Sequence, residues 1–199
     1  MKIVFEKLQD RVLHILDDQI QKGLTYHHSG HTRDVIECVQ RIAQEEGIID
    51  ERALLLLKIA ALYHDTGFLF VYRNHEEKSC EFARKDLAAH ELTDEEMDTI
   101  CSMIMATKIP QKPKSHLEEI ICDADLDYLG RDDFRLIGKN LKEEFLKYAI
   151  VKDVTEWEEV QINFIDTHKY FTATSQNARE YNKQIHLASL KSEAGMITN

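Results

Sequence analysis

Three stations along the chain carry groups able to hold a divalent cation. They are His31, the neighbours His64 and Asp65, and the acidic cluster Asp123, Asp125 and Asp127. Imidazole nitrogen and carboxylate oxygen together suit Mn, Fe, Co, Ni, Zn or Mg. Two histidines and two aspartates supply four donors and leave positions for water and substrate. Water on such a cation is acidified toward neutral pH, which makes a metal-bound hydroxide nucleophile for attack at phosphorus. The His-Asp pair alone carries little weight. With ten histidines and sixteen aspartates in 199 residues, about one such neighbour arises by chance. Its weight comes from context: a histidine at a helix start some thirty residues before it, and an aspartate cluster after a helix some sixty residues beyond.

The elements that must position these groups read as helices throughout. Gly is scarce at seven and Pro at two, and long stretches favour Leu, Ala, Glu and Lys. Val4, Leu8, Val12, Ile15, Leu16 and Ile20 form a helical stripe over residues 3–22, ended by Gly23. Residues 25–31 read as a polar loop leading into a helix that stops near Gly47. Asp50 is set to cap a helix over 51–64 that is apolar on nearly every face, and so is expected to be central and buried. A polar pair at its end, without a partner, costs several kcal/mol of desolvation, which a cation offsets. Helices are expected at 75–89 and, after the capping signal Thr93-Asp94-Glu95-Glu96, at 94–106. Pro110 and Pro113 mark a basic loop from Lys108 to Lys114, and a short helix over 115–122 precedes the acidic cluster. Three more helices are expected over 132–150, 153–172 and 176–190. The fold class is all-α, one domain over 1–199, with its core at about 24–130 and residues 131–199 completing or extending the bundle.

The segments Tyr26-His27-His28-Ser29-Gly30-His31-Thr32, Ala61-Leu62-Tyr63-His64-Asp65-Thr66-Gly67 and Asp123-Ala124-Asp125-Leu126-Asp127-Tyr128-Leu129-Gly130 together resemble the His…His-Asp…Asp signature of the HD superfamily of metal-dependent phosphohydrolases. The resemblance runs from about Tyr26 to Leu129. It implies an HD-domain helical bundle with a metal near its centre, held by His31, His64, Asp65 and Asp125. Asp125 follows Ala124, as the ligating aspartate usually does in families with this signature. Asp123 and Asp127 are the alternatives, with helix capping or bonds to a ligand as their other uses. Tyr26-His27-x-x-x-His31 is similar to the opening motif of the cyclic-nucleotide phosphodiesterase branch, which implies that His27 protonates the leaving oxygen. His28 is expected to face solvent. Many two-metal members carry a histidine at the position of His75 and a further pair near Ala106-Thr107-Lys108. This chain has Thr107 and Lys108 there, which favours one metal per chain. His75, Lys78 and Arg33 are then candidates for substrate phosphate, and Lys108 for the positive charge a second metal supplies. Phe68 and Tyr72 stand where they can wall a pocket.

A net charge of −11 repels polyanions, so no nucleic-acid polymer is expected as a partner. A small phosphorylated, nucleotide-like substrate remains open, because a bound cation reverses the local field. Cys38, Cys80, Cys101 and Cys122 show no C-x-x-C spacing and read as reduced, buried thiols of a cytoplasmic protein. No apolar run approaches the length that spans a bilayer, so no membrane partner is expected, and a homodimer is possible. Two rivals stand beside the hydrolase: a non-catalytic metal- or nucleotide-binding HD module, and a di-iron oxygenase. The oxygenase needs more histidines than residues 100–112 offer, for they offer none.

Overall fold

The structure, a computed structural model, describes residues 3–19 and 23–195. Among them there is no strand; nine α-helices and two single 3-10 turns account for the regular structure. The first compact unit is Met1–Asp125 and the second Leu126–Asn199. No helix among the described residues is long and apolar enough to cross a membrane.

In the first unit, α1 (Phe5–Gln19), α2 (Ser29–Glu45), α5 (Asp94–Ala106) and α6 (His116–Asp125) all lean on α3 (Glu51–Tyr63). The apolar all-round sequence of α3 is the reason. Leu57, Ile59, Ala60, Ala61 and Leu62 are inaccessible to solvent, and they meet Val35, Val39 and Ile42 of α2, Ile100 and Ile104 of α5, and Ile120 and Ile121 of α6 in one core. Each buried Ile or Leu is worth about 1.5–3 kcal/mol against exposure. Local chemistry sets the helix starts. The Asp50 carboxylate accepts from the Arg52 and Ala53 amides at 2.8 and 3.4 Å. Thr93 and Glu96 form the reciprocal capping box of α5, at 3.2 and 2.9 Å. Glu96 also receives the Arg52 guanidinium at 2.5 and 2.7 Å, which ties the start of α3 to that of α5.

α3 ends at Tyr63, and the chain turns through His64 and Asp65 into the 3-10 turn Thr66–Leu69. The turn is clamped by α4 (His75–Leu87). Ser79 Oγ donates to the His64 carbonyl at 2.6 Å and accepts from the Gly67 amide at 2.8 Å, and Ser79 is fully buried. Gly67 is required by close approach: a Cβ there would lie 1.9 Å from the His75 carbonyl oxygen.

The second unit holds the 3-10 turn Asp127–Gly130, α7 (Phe134–Lys147), α8 (Val154–Thr167) and α9 (Ala173–Glu193). Asp127 is buried and takes Arg179 in two bonds, at 2.8 and 3.0 Å.

Several boundaries differ from the sequence reading. The helix expected over 3–22 is α1, and its end at 20–22 lies outside the described residues. α2 begins at Ser29, so His31 sits in its first turn rather than in the loop. His28, expected in solvent, is half-buried and caps α2 by accepting from the Gly30 amide at 2.9 Å. The helix expected over 115–122 runs on to Asp125, which puts Asp123 and Asp125 on its last turn. α4 stops at Leu87 rather than 89, and α7 covers 134–147 rather than 132–150. The helix expected over 153–172 stops at Thr167, and α9 starts at Ala173 rather than 176 and extends to Glu193. Side chains from α9 end α8. Lys183 Nζ takes the His168 carbonyl at 2.6 Å, and Gln176 Nε2 reaches the carbonyls of Tyr170 and Phe171 at 3.0 and 3.1 Å.

Candidate metal centre

Three helix ends of the first unit bring the candidate donors together. His31 comes from the first turn of α2, His64 and Asp65 from the turn that closes α3, and Asp125 from the last residue of α6. His31 Nε2 lies 3.1 Å from Asp125 Oδ1, 3.4 Å from Asp65 Oδ2 and 3.3 Å from His64 Nε2. His64 Nε2 lies 3.2 Å from Asp65 Oδ2 and 3.5 Å from Asp125 Oδ1. Donors bound about 2.0–2.2 Å from one ion stand roughly 3.0–3.5 Å apart when they are neighbours in its shell. All five separations fall in or at the edge of that range. His31, His64 and Asp65 are also the residues whose donor atoms lie within 4.8 Å of one another.

The chemistry of the atoms agrees with the distances. His64 Nδ1 stands 2.8 Å from the Ala61 carbonyl, which can only accept, so Nδ1 carries hydrogen and a neutral ring presents its Nε2 lone pair to the cluster. Asp65 Oδ2 is buried without a hydrogen-bond donor. Lone pairs therefore face lone pairs in a pocket where His64 is 1% and Asp65 6% exposed. Positive charge must complete it, as a cation or as protons. The proton affinities express the same demand. Burial pulls His64 down, but the Asp65 and Asp125 carboxylates outweigh it and hold the ring well above its ordinary value. Burial pushes Asp125 up, and bonds from His31 and His64 bring it down to about 2. Asp65 is held well below its usual range by His64 and His75 against the same desolvation. Both carboxylates also follow the carbonyl-rich ends of α3 and α6, where the helix field disfavours negative charge. A divalent cation satisfies every one of these groups, and the residues fit it.

Residues 29–127, about half of the chain, match the family model of the HD domain. The chain is an HD-domain protein. No curated protein and no solved structure matches it.

Around the four donors, the HD domain carries a ring of aromatic and imidazole groups. Tyr26 covers His31 at 4.6 Å between ring centroids. Phe68 stacks on His27 at 4.2 Å and on His75 at 3.9 Å, and Tyr72 meets Phe68 edge-on at 5.2 Å. His75 Nε2 stands 3.3 Å from Asp65 Oδ1, the oxygen turned away from the cluster, and 3.7 Å from Glu76 Oε1. Burial lowers the His75 ring's proton affinity, and its bond to Asp65 more than restores it. His27 is thus held against the same Phe68 as His75, with its ring centroid 6.1 Å from that of His31.

The other candidates are engaged elsewhere. Lys108 Nζ donates to Glu77 Oε1 at 2.5 Å and to Asn74 Oδ1 at 3.2 Å, both beside the start of α4. Lys78 pairs with Glu81 at 2.6 Å. Arg33 follows His31 by two residues, which turns it to the opposite side of α2, and its partner is Asp17 at 3.6 Å. Among the three aspartates, Asp125 is the one at His31, while Asp127 is committed to Arg179. Sequence reasoning passed over Ser79 and Glu76. Ser79 is one turn after His75 on the same face of α4, and that i+4 spacing is the signal that points to it.

Proposed function

We propose that this HD-domain protein hydrolyses a small phosphate mono- or diester, nucleotide-like in character, with one divalent cation held by His31, His64, Asp65 and Asp125. The observation that carries the reading is the convergence of four N and O donors with separations of 3.1–3.5 Å, one of them a buried carboxylate oxygen that receives no hydrogen. A divalent cation there supplies Lewis acidity and an acidified water for attack at phosphorus.

The chain's own residues supply the rest. His64 is locked by the Ala61 carbonyl into the tautomer that offers Nε2. Asp65 uses its two oxygens differently, Oδ2 toward the histidine pair and Oδ1 toward His75. That bond holds the His75 ring by Nε2, and we assign the free Nδ1–H of its imidazolium to a phosphoryl oxygen. His27 stacks on Phe68 within reach of the same space, and we assign it delivery of the proton to the leaving oxygen. Lys108 contributes to phosphate only by exchanging its bond to Glu77 for one to substrate; where it stands, it braces the start of α4.

The test is elemental analysis of protein purified without added metal, followed by a panel of phosphate mono- and diesters assayed with Mn, Co, Ni and Mg. His64→Ala and Asp65→Ala are expected to abolish cation binding and at least a hundredfold of turnover while helical content is retained. Unchanged metal content and turnover in either variant would refute the reading. A protein that binds a nucleotide yet hydrolyses nothing on the panel would favour the regulatory module.

A further inference from the structure

Two of the four cysteines meet away from the metal centre. Cys80 lies on α4 and Cys101 on α5, helices joined only by residues 88–93 and packed against each other. The Cys80 thiol donates to the Cys101 carbonyl at 3.5 Å, which sets the two residues side by side across the α4–α5 contact. One turn nearer the connecting residues, Arg84 of α4 and Asp98 of α5 form an ion pair at 2.5 Å. Cys80 is half-buried, so small oxidants reach the pair. Cys101 itself is 7% exposed and is reached through Cys80; Cys38 on α2 and Cys122 on α6 are also buried, and Cys122 donates to the Ala106 carbonyl at 3.1 Å.

We propose that Cys80 and Cys101 are a site of reversible oxidation, closed to an intramolecular disulfide by a hydroperoxide. The chemistry follows from the surroundings. A thiolate is the nucleophile toward peroxide, and cations nearby favour it. Contact with the Cys80 thiol, helped by the Arg84 guanidinium, pulls Cys101 down to about 7, while Cys80 is pushed up. The Cys101 thiolate attacks the peroxide oxygen, the O–O bond breaks, and the departing oxygen takes a proton and leaves as water. The resulting sulfenic acid is attacked by Cys80 sulfur, which loses its proton as the S–S bond forms and a second water departs. Two thiols and one hydrogen peroxide thus give one disulfide and two waters. The S–S bond that forms is about 2.05 Å long.

The placement gives the bond a structural consequence. Cys80 directly follows Ser79, whose hydroxyl holds the His64 carbonyl and the Gly67 amide. A disulfide therefore fastens to α5 the turn of α4 that seats the His64-Asp65 pair. The proposal stands whether or not the chain is a hydrolase, because its readout is the thiols themselves.

The whole protein is treated with hydrogen peroxide, unfolded, alkylated, digested and weighed. The expected result is loss of two of the four alkylatable thiols and a linked peptide joining Cys80 to Cys101, lighter than its parts by two hydrogens. Dithiothreitol restores all four thiols. Cys80→Ser and Cys101→Ser each retain three alkylatable thiols after mild treatment or form only sulfenic acid at the remaining partner, and neither yields a linked peptide within the chain. Four free thiols after oxidation, a link to Cys38 or Cys122, or linkage only between chains would overturn the proposal.

Discussion

At the scale of single residues, the proposed centre sets protons against a cation for the same lone pairs. His64 is held above the ordinary imidazole value and Asp65 and Asp125 below the ordinary carboxylate value, because each charged form stabilises the other. On the proposed assignment a bound cation would take the place of the His64 proton, so binding would release protons. Cation affinity is therefore expected to fall as pH is lowered from roughly 8 to 6, and buffers of different ionisation enthalpy should reveal the released protons calorimetrically. A dissociation constant flat across that interval would contradict the assignment of His64 Nε2 to the ion. The same competition fits the buried Asp65 Oδ2, which has two ring nitrogens beside it and a hydrogen from neither.

At the scale of elements, α4 is the part that keeps the His64-Asp65 turn in place. Ser79→Ala leaves a buried carbonyl and a buried amide without their partner, at about 1–3 kcal/mol each. The variant is expected to melt several degrees lower and to bind cation more weakly although no donor has been touched; a loss of stability with unchanged affinity would limit Ser79 to packing. A second tie joins three helices. Asp86 of α4 accepts from Arg11 of α1 at 2.8 and 2.5 Å and from the buried Tyr63 hydroxyl of α3. Burial pushes its carboxyl up, but the Arg11 and Tyr63 bonds outweigh that and lower its proton affinity below the ordinary value. A depressed carboxylate stabilises the fold above the unfolded-state value, near 4, and that contribution is lost as pH falls through the folded-state value. Asp86→Asn should thus cost about 1 kcal/mol at neutral pH, and the stabilities of variant and parent should converge in acid. Parallel stability curves down to the acid limb would show that the carboxylate charge is idle.

For the molecule as a whole, the proposed cation would stabilise together three helix ends that are costly to bury alone. Ligand bound only by the folded state adds about 2.7 kcal/mol at a hundredfold excess over its dissociation constant. For a protein of this size that corresponds to a rise of about 5–10 °C in melting temperature. Mn or Ni is expected to raise the transition of the Met1–Asp125 unit by that order, a chelator to reverse it, and Asp65→Asn to abolish the response. A melting curve indifferent to both cation and chelator would mean that protons alone complete the centre.

Much of this was legible in the amino-acid order. The all-helical class, the capping box at Thr93, the buried character of α3 and the donor types at 31, 64, 65 and 123–127 all follow from local pattern, since caps and hydrophobic periods act over a few residues. The order left open which aspartate meets His31, because 123, 125 and 127 differ only by rotation about the end of α6, and the packing of α6 on α2 and α3 decides for Asp125. It placed Lys108, Lys78 and Arg33 near phosphate by charge alone, whereas the direction of each side chain depends on which carboxylate the fold brings within reach. Ser79, the two thiols on α4 and α5, and the break after Thr167 were beyond it for the same reason. Each is made by groups distant in sequence that meet only when helices pack, and periodicity within one helix holds no record of what stands opposite.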